Sequence, residues 1–253
     1  QPAGKYLGES YYRAGGVPAV MGELASENKL HTDAMTASGK TLGENLKGKR
    51  SLDLNVIASC KEPVRENAGF LVISGNLFDS ALMKTSVISE DFQKRFFSTP
   101  GKEGIIEPKA IVFEGPEDYP DRINAPELEI DDKSVLFIRG VGCVGYPGSA
   151  EVVNMLPPDK LVKEGINHLP TVGDGRQSGT SESPSILNAS PESVVGGGLA
   201  FLQTGDRVLL DLNKSEMNAL VPSEEWETRK KNWVAPEIIN HTPWEEIYRS
   251  HVG

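Results

Sequence analysis

Four short apolar runs, each bounded by glycine, proline or aspartate, constrain the fold of this chain of 253 residues more than any other feature. Apolar runs of this length between such residues predict buried β-strands, and the segments between them predict short helices. The chain is therefore predicted to have a mixed α/β fold. The predicted strands are residues 69–73, 110–113, 134–138 and 207–212, and the predicted helices are residues 90–97, 116–124, 159–164 and 223–233, the last capped by Ser223.

Residues 1–50 have a different pattern, because they carry helix signals and no strand signals. A glycine pair separates two short helices, and the second helix has Pro18 in its first turn. The polar segment 47–55 then marks a boundary, which predicts one domain over residues 1–50 and another over residues 51–253. The stretch 233–253 is expected to wrap over the second domain.

Charge and cysteine content exclude several classes of protein. A net charge of −10 would repel a phosphate backbone, so nucleic acid is not an expected partner. The two cysteines, Cys60 and Cys143, cannot hold a metal or a cluster alone, which fits a reducing compartment. No apolar run reaches the roughly 18 residues of a membrane span, and residues 1–5 lack the pattern of a signal peptide. We expect a cytoplasmic protein without membrane partners, and the initial Gln1 suggests a piece of a longer one.

Two familiar motifs are incomplete in this chain. Residues 38–41 resemble the end of a phosphate-binding loop, but the required earlier glycine falls on Ala34, so a loop that caps the next helix is favoured. Residues 175–179 contain a serine between glycines, but the glycine spacing differs from that of a hydrolase nucleophile elbow. The four histidines show no paired metal-ligand spacing.

Two glycine-rich stretches remain as candidate sites. Residues 140–148 follow a predicted strand and lead to Glu151, a carboxylate beside apolar residues that requires a cation or a hydrogen-bond donor. Residues 173–185 combine glycines with hydroxyl side chains, a composition that suits a loop presenting N–H groups and a serine oxygen to an anion. Close structural packing remains the alternative for the first stretch, and a hydrogen-bonded turn without a ligand remains the alternative for the second.

These two stretches resemble signature sequences of the dihydroxy-acid dehydratase and 6-phosphogluconate dehydratase family. Residues 146–155 resemble its second signature, and residues 173–180, 185–192 and 196–198 resemble its C-terminal signature. The sequence of residues 178–180, Ser-Gly-Thr in place of Ser-Gly-Gly, is more similar to the sugar-acid branch than to the branched-chain dihydroxy-acid dehydratases. Further agreement, in the same order along the chain, comes from residues 4–6, 12–18, 30–34, 36–45, 74–77 and 110–114.

The resemblance implies a dehydratase that converts a 2,3-dihydroxy sugar acid into a 2-keto-3-deoxy acid with an iron–sulfur cluster, most simply [2Fe-2S], and Mg²⁺. By resemblance, Ser178 is the base, Glu151 is a Mg²⁺ ligand and Thr180 contacts the substrate. Serine is a very weak acid, so a neighbouring cation must lower its pKa before it can act as a base. Family members are homo-oligomers, and we expect the same here.

The resemblance also implies that part of the enzyme is missing. The family's cluster cysteines and most Mg²⁺ ligands lie in an N-terminal α/β domain, and Cys60 and Cys143 do not match those cysteine motifs. Residues 1–50 resemble the helical tail of that domain, and residues 51–253 resemble a C-terminal swivelling β/β/α domain with a barrel-like sheet and flanking helices. We therefore expect the chain alone to bind no cluster and to be inactive.

Three other functions remain open. The first is a non-catalytic remnant that acts in binding or assembly, and the second is a branched-chain dihydroxy-acid dehydratase. The third is an isomerase or hydratase of the aconitase type, against which the dehydratase signatures argue. If the dehydratase interpretation holds, Ser178 and Glu151 face one cleft, because the loops that carry them leave neighbouring strands at one end of the sheet.

Overall fold

The computed structural model describes residues 5–64, 69–85, 88–177 and 185–252. It contains two compact units, Gln1–Ala68 and Gly69–Gly253. Among the residues described, no helix is both long and apolar enough to cross a membrane.

The described residues of the first unit contain three helices, α1 (Gly8–Arg13), α2 (Gly16–Ser26) and α3 (Leu42–Leu46). The predicted helix pair is confirmed. Gly15 ends α1 in a left-handed conformation with φ of +109°, and a Cβ there would lie 2.7 Å from the Cβ of Ala19, so the turn requires glycine. The loop expected to cap the next helix does so, because the Thr41 hydroxyl accepts from the Glu44 N–H while the Glu44 carboxylate accepts from the Thr41 N–H.

The second unit is built on one sheet of nine described strands. In spatial order the strands are β3-β8-β9-β1-β2-β7-β6-β5-β4. Strands β4 to β7 run parallel to one another. In β4 and β5 almost every residue is apolar and buried, as expected for strands that are covered on both faces of the sheet. The strand bounds are β1 Phe70–Gly75, β2 Phe78–Lys84, β3 Ile105–Ile106, β4 Lys109–Glu114, β5 Ser134–Arg139, β6 Thr171–Gly173, β7 Ser185–Ser190, β8 Val208–Asp211 and β9 Glu216–Ala219.

Helices connect and cover these strands. The α-helices of the unit are α4 Glu90–Phe97, α5 Asp118–Arg122, α6 Asp159–Lys163, α7 Ser223–Asn232 and α8 Pro243–Arg249, and the short 3-10 helices are Pro126–Leu128, Ser193–Val195 and Gly198–Phe201. Helices α5 and α6 lie in the connections between parallel strands, so β4, β5 and β6 form two βαβ crossovers.

The sheet curls, so that strands from its two ends meet. The N–H of Ala110 in β4 donates to the carbonyl of Asp206 over 2.8 Å, and the N–H of Val208 donates to the carbonyl of Pro108 over 3.0 Å. These bonds join β4, at one edge of the sheet, to the start of β8 near the other edge. The curvature is consistent with the expected barrel-like sheet, and the mixed α/β prediction is confirmed.

Most predicted elements occur within two residues of their expected ends. The predicted cap of α7 is wrong: Ser223 is the first residue of the helix, Pro222 holds the capping position, and no side chain there makes a capping bond. Strands β2, β3, β7 and β9 were not predicted. They are short or carry polar residues at exposed positions, and they pair in the sheet because their apolar residues reach the shared core.

Candidate active site

The two glycine-rich stretches leave adjacent parallel strands at the same edge of the sheet. Ile138 in β5 is paired with Gly173 in β6, so the segments that follow these strands start side by side. Ligand sites of α/β sheets lie beyond the carboxyl ends of parallel strands. We call residues 140–148, after β5, the glycine loop and residues 174–177, after β6, the signature segment.

Asp174 fixes the start of the glycine loop. Its carboxylate is 4 % exposed and accepts hydrogen bonds from the N–H groups of Gly140 at 3.1 Å and Val141 at 3.0 Å. It also accepts from the N–H of Ser193 at 2.9 Å and from the hydroxyl of the same residue at 2.7 Å. Four donors around one buried carboxylate compensate for its loss of water, so Asp174 has a structural role here.

Glu192 holds the middle of the glycine loop. One carboxylate oxygen accepts from the N–H of Val144 at 2.8 Å, and the other accepts from the N–H of Gly145 at 2.9 Å. Gly142 lies against the same side chain, and a Cβ there would come within 2.5 Å of the carboxylate. The close approach explains the glycine at position 142.

Backbone hydrogen bonds join the two stretches that resemble family signatures. The N–H of Arg176 donates to the carbonyl of Ala150 at 2.9 Å, and the N–H of Val153 donates to the carbonyl of Arg176 at 3.2 Å. Gly175 permits this approach, because a Cβ at that position would lie 2.8 Å from the carbonyl oxygen of Ala150. The segment around Glu151 therefore lies directly beside the signature segment.

Glu151 is available to a ligand at this edge. Its side chain is 51 % exposed, and its carboxylate lies 3.6 Å from the guanidinium of Arg176, which is exposed to the same extent. The Nε of Arg176 also donates to the carbonyl of Ser149 at 2.7 Å. Ser149 adopts a φ of +56°, a left-handed conformation that is uncommon for serine.

The other two predicted site residues, Ser178 and Thr180, lie outside the described residues. The last described residue before them, Gln177, is 8 % exposed, and its Oε1 has no hydrogen-bond partner in the described structure. Whether Ser178 and Glu151 share one cleft therefore stays a prediction. What the structure describes is that the chain on the N-terminal side of Ser178 is paired with the chain on both sides of Glu151.

The C-terminal helix α8 binds the carbonyl groups of the same two loop residues whose N–H groups Glu192 binds. Arg249 donates from Nε to the carbonyl of Val144 at 2.7 Å and from Nη2 to the carbonyl of Gly145 at 3.2 Å.

Tyr248, which precedes Arg249 in α8, has a raised pKa. Partial burial raises this pKa and the Cys143 thiol raises it further, while a hydrogen bond from the N–H of Gly148 and the charge of Arg176 lower it. A cavity of about 870 Å³ lies between the glycine loop and the C-terminal segment 233–249.

The described residues do not form a complete metal site. No group of three or more His, Cys, Asp or Glu side chains among them is placed to hold a metal ion. Cys60 belongs to the first unit, where its thiol lies 3.6 Å from the carbonyl of Glu23, and Cys143 is exposed on the glycine loop of the second unit. One cysteine in each unit does not fit an iron–sulfur cluster. Glu151 could supply one oxygen ligand to Mg²⁺.

The two loops stand out in the sequence, but the side chains that hold them do not. Asp174 and Glu192 both stand next to glycines or prolines in the signature stretches, and neither position has a regular spacing that would indicate its partners. Arg249 lies 105 residues from its partner Val144, so only the fold brings the two together.

The chain matches known proteins along its whole length. A family model described as "Dihydroxy-acid/6-phosphogluconate dehydratase C-terminal" matches residues 55–253, and the corresponding N-terminal model matches residues 1–45. The chain is 57% identical over 253 residues to the D-xylonate dehydratase of Caulobacter vibrioides. This alignment covers 100% of the chain and 42% of the relative. The chain is 32% identical to the L-arabinonate dehydratase of Rhizobium leguminosarum over 99% of this chain and 42% of the relative.

A third relative is the dihydroxy-acid dehydratase of Ruminiclostridium cellulolyticum. It is 35% identical over 93% of this chain and 40% of the relative's own length. The chain thus spans about two fifths of the length of these relatives. With a family model matching most of its residues, the chain is a member of the dihydroxy-acid/6-phosphogluconate dehydratase family.

Proposed function

We propose that this chain is the C-terminal part of a sugar-acid dehydratase, a hydro-lyase that converts a 2,3-dihydroxy sugar acid into a 2-keto-3-deoxy acid. The observation that carries the proposal is the pairing of the two signature stretches at the carboxyl ends of β5 and β6, which leaves Glu151 exposed beside Arg176. The identity of 57% to a D-xylonate dehydratase supports a sugar acid over a branched-chain acid as the substrate.

The reaction requires three groups around the substrate. The C2–H bond breaks, and its electron pair forms a C2=C3 double bond as the C3 hydroxyl leaves with a proton as water. The resulting enol then takes a proton at C3 and becomes the 2-keto acid. A base must accept the C2 proton, an acid must assist the departing hydroxyl, and a cation must stabilise the negative charge that develops next to the carboxylate.

We assign these roles to the predicted residues. Ser178 is the base, Thr180 contacts the substrate, and Glu151 provides one oxygen ligand to Mg²⁺. Arg176 is fixed by its bond to the carbonyl of Ser149 and stays close to Glu151, so it limits the positions that the Glu151 carboxylate can take. A cation at Glu151 would supply the positive charge that a serine base requires.

Further parts of the enzyme are proposed to come from outside this chain. The iron–sulfur cluster and the remaining Mg²⁺ ligands are assigned to the part of the relatives that this chain does not span. The cluster would supply a Lewis acid for the leaving hydroxyl. We also propose a homo-oligomer in the cytoplasm. Tyr12 and Val17 of the first unit are exposed apolar side chains that another chain could cover.

A chimera tests the proposed function. This chain replaces the aligned 42% of the Caulobacter vibrioides D-xylonate dehydratase, so that the missing part is supplied by that relative. We expect the chimera to form a 2-keto-3-deoxy acid from D-xylonate or another sugar acid faster than it forms a keto acid from 2,3-dihydroxyisovalerate. A correctly folded chimera that contains cluster and metal but turns over none of these substrates would favour a non-catalytic remnant.

Two carboxylate variants of the chimera test the assigned metal ligand. Glu151→Gln keeps the shape of the side chain but removes its charge, and we expect a loss of activity of about 10²-fold or more because metal and substrate binding are weakened. Glu164→Gln changes an exposed glutamate after α6 and serves as the matched control. Equal activities of the two variants would contradict the role of Glu151.

A further inference from the structure

We propose that Arg249 is a positioning residue: it binds carbonyl groups in the middle of the glycine loop and thereby holds Glu151, three residues after the loop, where the reaction needs it. This inference rests on the proposed function for its consequence in catalysis. We call the two bonds from Arg249 to the carbonyls of Val144 and Gly145 the clamp. Its effect on the glycine loop can be tested without measuring enzyme activity.

Arg249 and Glu192 bind the same two residues of the glycine loop, Glu192 at their N–H groups and Arg249 at their carbonyl groups. Glu192 accepts from the N–H groups of Val144 and Gly145 at 2.8 and 2.9 Å. Arg249 donates to the carbonyls of the same two residues at 2.7 and 3.2 Å. The polar backbone groups of both residues are thereby paired with charged side chains, and such charge-assisted bonds are stronger than neutral ones.

The guanidinium of Arg249 is itself held in place. The side chain is only 13 % exposed, and Glu245, one helical turn earlier, lies 3.9 Å from it. Nη1 donates to the carbonyl of Ile239 at 3.4 Å and also to the side-chain oxygen of Asn240. A planar guanidinium with its donors engaged in several directions is a rigid support, and lysine, with a single flexible ammonium, cannot reproduce it.

The two ends of the glycine loop have other anchors, so only its middle depends on this clamp. Asp174 binds the N–H groups of Gly140 and Val141 at the start, and Arg176 binds the carbonyl of Ser149 after the end. Four of the nine residues of the glycine loop are glycines, including both end residues, which gives an unsupported loop many accessible conformations. Without support in the middle, the loop would sample several of them.

A short path connects the clamped residues to Glu151. The N–H of Tyr146 donates to the carbonyl of Gly142 at 2.8 Å, and the N–H of Ser149 donates to the carbonyl of Tyr146 at 2.7 Å. Two successive turns therefore link the middle of the loop to Ser149, whose positive φ sets the direction of the chain just before Glu151. A displacement at Gly145 is transmitted along these turns to the carboxylate.

Hydrogen exchange of backbone amides in the 253-residue chain tests the clamp directly. We expect Arg249→Ala to speed exchange at Val144 and Gly145 by roughly tenfold or more, because the loop opens locally more often. Arg249→Lys should give an intermediate rate. Glu246→Ala, at an exposed position of the same helix, is the matched control and should change exchange at the loop by less than about twofold. Unchanged exchange in Arg249→Ala overturns the proposal.

The same variants in the chimera test the consequence for catalysis. We expect Arg249→Ala to lower kcat by about tenfold or more and to raise the Mg²⁺ concentration for half-maximal activity, with a smaller change in KM, because a shifted carboxylate impairs the reaction more than substrate binding. An Arg249→Ala chimera with the kcat and Mg²⁺ dependence of the wild-type chimera also overturns the proposal. An inactive wild-type chimera contradicts the proposed function instead, and the exchange experiment then decides the clamp on its own.

Discussion

Replacing Asp174 by asparagine should destabilise the second unit while the shape of the side chain is preserved. One carboxylate oxygen of Asp174 accepts three hydrogen bonds, from Gly140 and from both donors of Ser193, and the other accepts one, from Val141. Asparagine retains one oxygen and places an NH₂ group at the other position. The orientation of lowest free energy therefore keeps the three bonds and points the NH₂ group at the N–H of Val141.

The expected loss follows from these contacts. The buried N–H of Val141 is left without an acceptor, which costs about 1–3 kcal/mol, and three remaining bonds lose the contribution of the charge. In the variant, the new NH₂ group and the N–H of Val141 are also two hydrogen-bond donors that face each other. We expect the free energy of unfolding to fall by about 2–4 kcal/mol in total.

Tryptophan fluorescence in urea measures this loss in the correct unit, because all three tryptophans of the chain lie in the second unit. Asp121→Asn, at an exposed position in α5, is the control and should stay within about 0.5 kcal/mol of the wild type. An Asp174→Asn variant as stable as this control would refute the argument that the buried carboxylate organises the glycine loop.

Three further predictions concern other parts of the structure. Gly175→Ala should lower the free energy of unfolding by about 3 kcal/mol, because its Cβ would lie 2.8 Å from the carbonyl oxygen of Ala150. Gly148→Ala places its Cβ in open space and should lower it by only about 1 kcal/mol, because of the φ of +89° at that position. Urea unfolding measures both values. Thr41→Ala removes a capping box and should destabilise α3 by about 1 kcal/mol, seen as faster exchange of the Glu44 amide. The pKa of Tyr248 is raised above 10.0 in the folded state. The free energy of unfolding that this shift contributes is therefore complete below pH 10 and is lost as the pH rises through the folded-state pKa. Tyr248→Phe should remove this part of the pH dependence of the free energy of unfolding, measured by urea unfolding at a series of pH values.

The sequence predicted the elements whose signals are local. The apolar runs of β4 and β5 are buried on both faces, and such strands stand out without knowledge of their neighbours. Strand β9 alternates polar and apolar residues over only four positions, so its place in the sheet depends on pairing with β8 and β1. Pairing of this kind is fixed by the whole fold and leaves little trace in a short segment.

The same distinction applies to the candidate site. The glycine-rich composition of residues 140–148 indicated a special loop, and Glu151 was identified from the family signature. The partners of that loop could not be predicted, because Glu192 and Arg249 lie 48 and 105 residues away from Val144 along the chain. No pattern within one segment connects them, and only the curled sheet with its C-terminal helix brings them together.

Whether this chain carries the base of a sugar-acid dehydratase can be measured by the dehydration of D-xylonate in chimeras with and without Ser178. We expect Ser178→Ala to lower kcat by about 10²–10⁴-fold, because the C2 proton then has no acceptor. Ser181→Ala, three residues further along the chain, is the control and should leave kcat within about twofold of the wild-type chimera. In D₂O the product of the active chimera should carry one deuteron from the solvent at C3. A Ser178→Ala chimera that retains wild-type turnover would show that Ser178 is not the base.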